Sequence, residues 1–337
     1  MLQQTRVAQA TPYFERFITA FPNVESLARA ELDTVLKCWE GLGYYSRARN
    51  LHRTSKQLVK DFGGEIPKDE ATLRALPGVG PYTAAAVLSI AFDKPFAVLD
   101  GNVIRVLSRV FAVEHDVRSS ATKKALGAIA DLLLDQNRPG IFNEAVMELG
   151  ATICTPKAPA CNECPLHPDC AAFAGGDPEA FPVASKKKPT PHYEIAVGVV
   201  VDVQERVLIQ KRPEGAMLGG LWEFPGGKRE AGETLQQACR RELREELGID
   251  VEVGDEIAQI KHAYSHFSVT LHAFDCALVS GEPVHHAKQP IQWVGLDELG
   301  ELAFPRASGK LINVLLERSN TNKYEISIAT ALREIER

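Results

Sequence analysis

Long hydrophobic runs are missing from this sequence: none approaches the roughly 20 apolar residues that cross a bilayer. A basic-then-apolar leader is missing too, so no signal peptide is marked and the chain reads as cytosolic, placed in the cytoplasm. Nor is there an excess of positive charge. The formal net charge is −6, with 22 Lys and Arg against 21 Asp and Glu through residue 190 and 16 against 23 beyond it. That balance does not advertise nucleic-acid binding; DNA could be held only by basic groups gathered on one face. Internal repeats are absent. At the start, Leu2, Val7, Ala10, Tyr13 and Phe17 recur at helical steps, with neither a capping residue nor a loop ahead of them. The chain reads as opening in mid-element.

A length of 337 residues exceeds one ordinary core, and 45% hydrophobic with 24% charged residues is a globular balance, so two domains are expected. Up to about residue 172 the pattern is helical, with segments 33–39 before GLGYY, 83–92 after PGVGP and 102–111 after LDG. The stretch AFAGGDPEAFPVASKKKPTPH (172–192) is rich in Gly, Pro and Lys, has no period, and reads as a linker. Lys186, Lys187 and Lys188 there suit a solvated run, with phosphate contact as the rival reading. Beyond it, YEIAVGVVVDV, RVLIQKR and HFSVTLHAFDCALV have strand character, and 234–247 is one strong helix. An all-α half thus precedes an α+β half.

Of seven cysteines, Cys38, Cys239 and Cys276 lie among apolar neighbours and are expected as buried thiols. The other four, Cys154, Cys161, Cys164 and Cys170, fall within 17 residues at a C-x6-C-x2-C-x5-C spacing. In a reducing compartment such a cluster suggests metal rather than disulfides. Zinc sites more often pair two C-x2-C knuckles, whereas a 4Fe–4S cluster accepts one wrapped loop. LPGVGPYTAAAVLSI (76–90) reads as helix, tight turn, helix, with Gly78 and Gly80 permitting close backbone approach and a helix start open to a phosphate. Asp100 stands just ahead of an amphipathic helix, where an N-cap is the plain structural alternative.

Taken together, LPGVGPYTA, LDGNVIRVLSR and the cysteine loop resemble the helix-hairpin-helix DNA glycosylases that carry an iron–sulfur loop. GLGYYSRARNL (41–51) and MLQQT (1–5) resemble the MutY family within them, which removes adenine mispaired with 8-oxoguanine. The resemblance implies that Asp100 stabilises the positive sugar formed as the N-glycosidic bond breaks, or traps it covalently. Asn102 would position Asp100 and the attacking water. Tyr82 stands where strand-cleaving relatives keep a lysine, so no Schiff base is expected and the enzyme would be monofunctional. Gln4, Thr5, Leu42 and Tyr44 would surround the 8-oxoguanine and fill the gap left by the flipped adenine, although Leu42 and Tyr44 alone could equally be core residues. The expected partner is double-stranded DNA with an A:8-oxoguanine mispair, bound by a monomer.

The same resemblance puts the family's catalytic acid, a glutamate that protonates adenine at N7, two positions before Met1. On that reading the chain opens in mid-element as a truncated copy, either because an internal methionine was taken as the start or because the segment was lost. Little or no excision is then expected of this polypeptide.

The second half contains G-x5-E-x7-R-E-U-x-E-E-x-G-U without a mismatch, from Gly227 and Glu233 through Arg241, Glu242, Leu243, Glu245, Glu246 and Gly248 to Ile249. That is the Nudix box. On a helix Glu242, Glu245 and Glu246 share a face suited to Mg2+ against a diphosphate, and Arg241 can pair with Glu245. The MutY resemblance implies a Nudix-like domain that recognises 8-oxoguanine, generally with a degraded box; this complete one departs from it. LWEFPGGK resembles 8-oxo-dGTP hydrolases, while Ser308 stands where those hydrolases have a purine-reading asparagine. HAYSH (262–266) resembles the family's Phe-Ser-His loop with Tyr264 for Phe, and Ser265 and His266 would contact the lesion.

The expected architecture is therefore multidomain. An all-α helix-hairpin-helix glycosylase domain (1–172), with its 4Fe–4S loop at 154–170, is followed by a linker (173–192), an α+β Nudix-fold domain (193–318) and a tail (319–337). An Mg2+-dependent hydrolase of oxidised nucleotides and a catalytically dead DNA-binding remnant are the rival functions.

Overall fold

The computed structural model describes residues 1–319 apart from residues 3, 4, 6, 187, 188 and 265. Of the expected site residues, Gln4 and Ser265 lie outside the described residues, as does all but the first residue of the tail. Packing divides the chain into two compact units, Arg53–Lys188 and Met1–His52 with the chain from Pro189.

The N-terminal residues form α1 (Val7–Ala20), α2 (Val24–Arg29), α3 (Leu32–Trp39) and α4 (Ser46–Phe62). Asn23 starts α2 with a reciprocal cap: its side chain accepts the Ser26 N–H at 2.8 Å, and its own N–H donates to Ser26 Oγ at 3.2 Å. Phe17, Phe21, Leu27, Leu36, Trp39 and Leu42 build a core that also takes in Leu221 and Ala303 from the far end of the chain. The turn between α3 and α4 needs left-handed backbone at Gly41, Gly43 and Tyr44. A side chain at Gly41 would also collide with the Tyr13 hydroxyl, 2.3 Å from the Cβ position.

Within Arg53–Lys188 the hairpin consists of α5 (Glu70–Ala75) and α6 (Pro81–Phe92), followed by α7 (Gly101–Val110), α8 (Ser120–Leu133), α9 (Pro139–Thr152) and α10 (Ala171–Ala174). Asp69 caps α5 through the Thr72 N–H, Ser119 caps α8 through the Thr122 N–H, and Asp93 ends α6 in the left-handed region. Val103, Leu107, Val117, Leu126 and Ala130 form the core under α7 and α8. α7 and α9 meet closely, because a Cβ on Gly150 would stand 2.7 Å from Asn102 Cβ.

From Pro189 the strands are β1 (His192–Val200), β2 (Arg206–Lys211), β3 (Trp222–Glu223), β4 (Gly226–Lys228), β5 (Asp250–Ala263), β6 (Ser268–Ser280) and β7 (Ile291–Gly295). One sheet runs β4-β1-β6-β5 and the other β3-β2-β7, with β1 and β6 parallel. The Nudix helix α11 (Leu235–Leu247) starts at a Thr234–Gln237 capping box, ends at left-handed Gly248, and buries Ala238, Cys239, Leu243 and Leu247 against the first sheet. Residues 306–319 form a further helix, α12.

β5 and α12 were not anticipated. β5 alternates poorly because its register shifts between Val253 and Ala258, so the period of two is broken in mid-strand. Cys239 and Cys276 are buried, as expected, but Cys38 is only half-buried, a correction to its reading as a buried thiol. Among the described residues no helix is long and apolar enough to cross a membrane.

Because α7 and α9 touch at Gly150, Gly150→Ala is expected to destabilise the Arg53–Lys188 unit by about 1–3 kcal/mol, the usual range for overpacking. Thermal unfolding of the variant beside the wild type measures it.

Candidate active site

Asp100 is the N-cap of α7, and its two oxygens are used differently. Oδ1 accepts the Val103 N–H at 2.7 Å, while Oδ2 accepts the Asn102 Nδ2–H at 3.2 Å. The capping role and the expected chemical role therefore fall on one carboxylate. Asn102 is itself held, since its Oδ1 accepts from Arg105 at 2.9 Å. The Arg105 guanidinium also donates to the carbonyls of Gly150 at 2.6 Å and Cys154 at 2.7 Å. Tyr82 is half-buried with its hydroxyl 3.9 Å from Met147 Sδ. Burial first, and the charge of Asp100 second, push its phenol above the ordinary value, so Tyr82 lies within the field of Asp100.

Gly78, at φ +76°, makes the hairpin turn, and Gly80 precedes α6 in an extended conformation without a side-chain cap. A Cβ on Gly80 would meet nothing within 4 Å. This helix start therefore offers its N–H groups to an anion.

All four clustered cysteines line one pocket, with Val106, Leu149 and Phe173 among its apolar walls. Buried Arg109, only 2% exposed, enters it from α7. Its guanidinium donates to Cys154 Sγ at 3.2 Å and to the carbonyls of Thr155 at 2.7 Å, Pro156 at 3.2 Å and Phe181 at 3.1 Å. Burial, followed by the charges of Cys154 and Cys170, pushes the Cys161 thiol up. Among the described residues no three His, Cys, Asp or Glu side chains are arranged as a ready metal shell.

The other expected contacts lie in the second unit. Thr5 donates its N–H to the Leu2 carbonyl at 3.3 Å. Leu42 is 6% exposed inside the N-terminal core, whereas Tyr44 is 37% exposed with the Arg47 guanidinium 5.5 Å over its ring. His266 is exposed. Tyr264 beside it stacks on Phe267 at 4.7 Å and meets His262 edge-on at 4.5 Å.

In the Nudix box Glu242 packs over Gly227, where a Cβ would stand 2.3 Å from its carboxylate. Arg241 pairs with Glu245 as expected, at 3.1 Å, and also with Glu242 at 2.9 Å and Glu233 at 2.8 Å. The bond to Arg241 holds Glu233 down at about 2, while burial raises Glu242 and Glu246. Glu246 accepts from buried Gln210 at 2.5 Å, and Gln210 Oε1 has no partner among the described residues. Cross-strand from Gln210 lies Glu223, bonded to Arg212 and pushed up to about 7, chiefly by burial.

Sequence reasoning missed Arg105, Arg109, Gln210 and Glu223. For Arg109 a signal existed: a basic residue at helical spacing among Val106, Leu107 and Val110 must find buried partners. Gln210 and Glu223 had no signal, because their juxtaposition depends on the pairing of β2 with β3.

The raised Glu223 carboxyl makes the folded state bind a proton more tightly than the unfolded chain. Its contribution to stability is fully present below about pH 4.5 and is lost as the pH rises through about 7, by up to about 3 kcal/mol. Denaturant unfolding between pH 4.5 and 7.5 is expected to show this decline, and Glu223→Gln to flatten it.

Comparison with known proteins agrees with both halves. A family model described as HhH-GPD superfamily base excision DNA repair protein matches residues 1–130, and one described as NUDIX domain matches residues 196–314. The chain is 34% identical to an adenine DNA glycosylase of Rattus norvegicus over 363 residues, 94% of this chain and 70% of that protein. It is 32% identical to one of Buchnera aphidicola over 314 residues, 93% of this chain and 88% of that protein. With an Asp100 cap, a hairpin and a Nudix domain all inside that span, the chain belongs to the adenine DNA glycosylase family.

Proposed function

We propose that this protein removes adenine paired with 8-oxoguanine, or with guanine, from double-stranded DNA by hydrolysing the N-glycosidic bond and leaves the strand uncut. The observation that carries the reading is the Asp100 carboxylate, held at both oxygens by neutral donors and, among the described residues, in no ion pair. As the bond to adenine lengthens, positive charge grows on the sugar. A fixed carboxylate with lone pairs to spare stabilises that charge, and Asn102 orients it. Tyr82 offers no amine, so no Schiff base leads to strand cleavage. The helix start after Gly80 would hold a DNA phosphate, and Thr5, Tyr44 and His266 would address the lesion, with Leu42 reaching it only by leaving its core.

The cysteine loop fits a 4Fe–4S cluster. Arg109 is a buried cation whose hydrogen-bond partners are a cysteine sulfur and carbonyls, and four thiolates around iron would supply the negative charge beside it. Cys154, Cys161, Cys164 and Cys170 would hold the cluster, which closes the loop that Arg105 ties to Asn102. Anaerobically purified protein is expected to contain about four iron atoms per chain. Arg109→Leu should lower that content, measured by iron assay and absorbance; an iron-free wild type would refute the cluster.

Adenine release from an A:8-oxoguanine duplex tests the proposal. Release is expected to be faster from A:8-oxoguanine than from A:G and to leave the strand uncut. Strand cleavage, or release from A:G at the same rate, would contradict it.

A second reading is favoured by the intact Nudix box, where Glu242 on Gly227 and Glu246 under Gln210 leave carboxylates for Mg2+. With Mg2+, the protein is then expected to release pyrophosphate from 8-oxo-dGTP, and Glu246→Gln to abolish it. No pyrophosphate would leave the domain as a lesion reader alone.

A further inference from the structure

We infer that Asn143 is a positioning residue for Asp100: its buried carboxamide docks the extended segment 96–98 and so sets where the carboxylate enters α7. The inference rests on the reading of Asp100 given above. Asn143 lies in α9 and is 2% exposed. Its Nδ2 donates to the Phe96 carbonyl at 2.8 Å and to Ser89 Oγ at 2.9 Å, and its Oδ1 accepts the Val98 N–H at 3.0 Å. Both amide protons and the carbonyl are therefore used. Turning the amide over would set oxygen against the Phe96 carbonyl and N–H against the Val98 N–H, so the orientation is determined.

The Phe96 carbonyl and Val98 N–H point to the same side of an extended chain, and the carboxamide meets them as a neighbouring strand would. Ser89 closes the other side of the frame by donating to the Ala85 carbonyl at 2.7 Å. The start of α9 is pressed onto the end of α6, since a Cβ on Gly140 would stand 2.7 Å from the Ser89 carbonyl oxygen. α6 and α9 thus form a rigid support, and Asn143 hangs the segment on it with one residue, Leu99, between Val98 and Asp100. The bonds of Asp100 to Val103 and Asn102 fix its carboxylate to its own helix. Asn143 fixes where that helix begins.

The consequence is separable from adenine excision. A duplex carrying a pyrrolidine nucleotide, whose ring nitrogen is cationic, in place of the adenosine opposite 8-oxoguanine mimics the charged sugar. A tetrahydrofuran nucleotide is its neutral counterpart. The ratio of the two affinities reads the charge stabilisation by Asp100, because all other DNA contacts are shared. Wild type is expected to favour the cation. Asn143→Leu, which fills the space without bonding, should lower the ratio ~10-fold or more while tetrahydrofuran binding stays within about two-fold. Asn143→Ala gives the same readout should leucine not fit. Ser89→Ala removes the helix-side tie and leaves both segment bonds; it should lower the melting temperature and keep the wild-type ratio. An unchanged ratio in a folded Asn143 variant with a lowered melting temperature would make the residue merely structural and overturn the inference. A wild type without preference for the cation would overturn the reading of Asp100 itself, and the inference with it.

Discussion

A carboxylate at a helix start can serve the backbone or serve chemistry, and we propose that in this protein Asp100 does both. The cap bond to the Val103 N–H holds one oxygen, and the Asn102 amide holds the other. Neither donor is charged, so the negative charge is oriented without being neutralised. Much of the unit around it follows from keeping that arrangement. Gly150 lets α9 approach Asn102, Arg105 binds the amide from behind, and the same guanidinium reaches the backbone of the cysteine loop.

The cysteine loop is organised by a second constraint of similar kind. Arg109 is buried and, among the described residues, spends its donors on carbonyls and one sulfur rather than on a carboxylate. A buried guanidinium is costly unless negative charge lies nearby. The sulfurs of the loop are where that charge would reside. In the other unit the same physics works in reverse. Glu223 sits with Arg212 but is buried enough to push its carboxyl up to about 7.

Local chemistry made much of this legible in advance. The hairpin showed through Pro77, Gly78 and Gly80, the start of α7 through Asp100, and α11 through the periodic box that Thr234 and Gly248 bracket. β1, β2 and β6 were visible as β-branched runs. What stayed hidden depends on partners distant in the chain. Leu42, inside GLG, is open to a lesion contact or a core position alike, and it joins a core completed by Leu221 and Ala303, more than 170 residues away. Asn143, inside an unremarkable helical stretch, gains its meaning only when segment 96–98 is laid against it. Gln210 and Glu223 meet only once β2 and β3 pair.

The measurement that tests the central claim most directly separates the two duties of Asp100. Asparagine caps helices about as well as aspartate but carries no charge. Asp100→Asn is predicted to keep the wild-type melting temperature within a few degrees and to lose adenine release by at least about 10²-fold. Adenine release at the wild-type rate by a stably folded Asp100→Asn protein would contradict the account, leaving Asp100 a helix cap and nothing more.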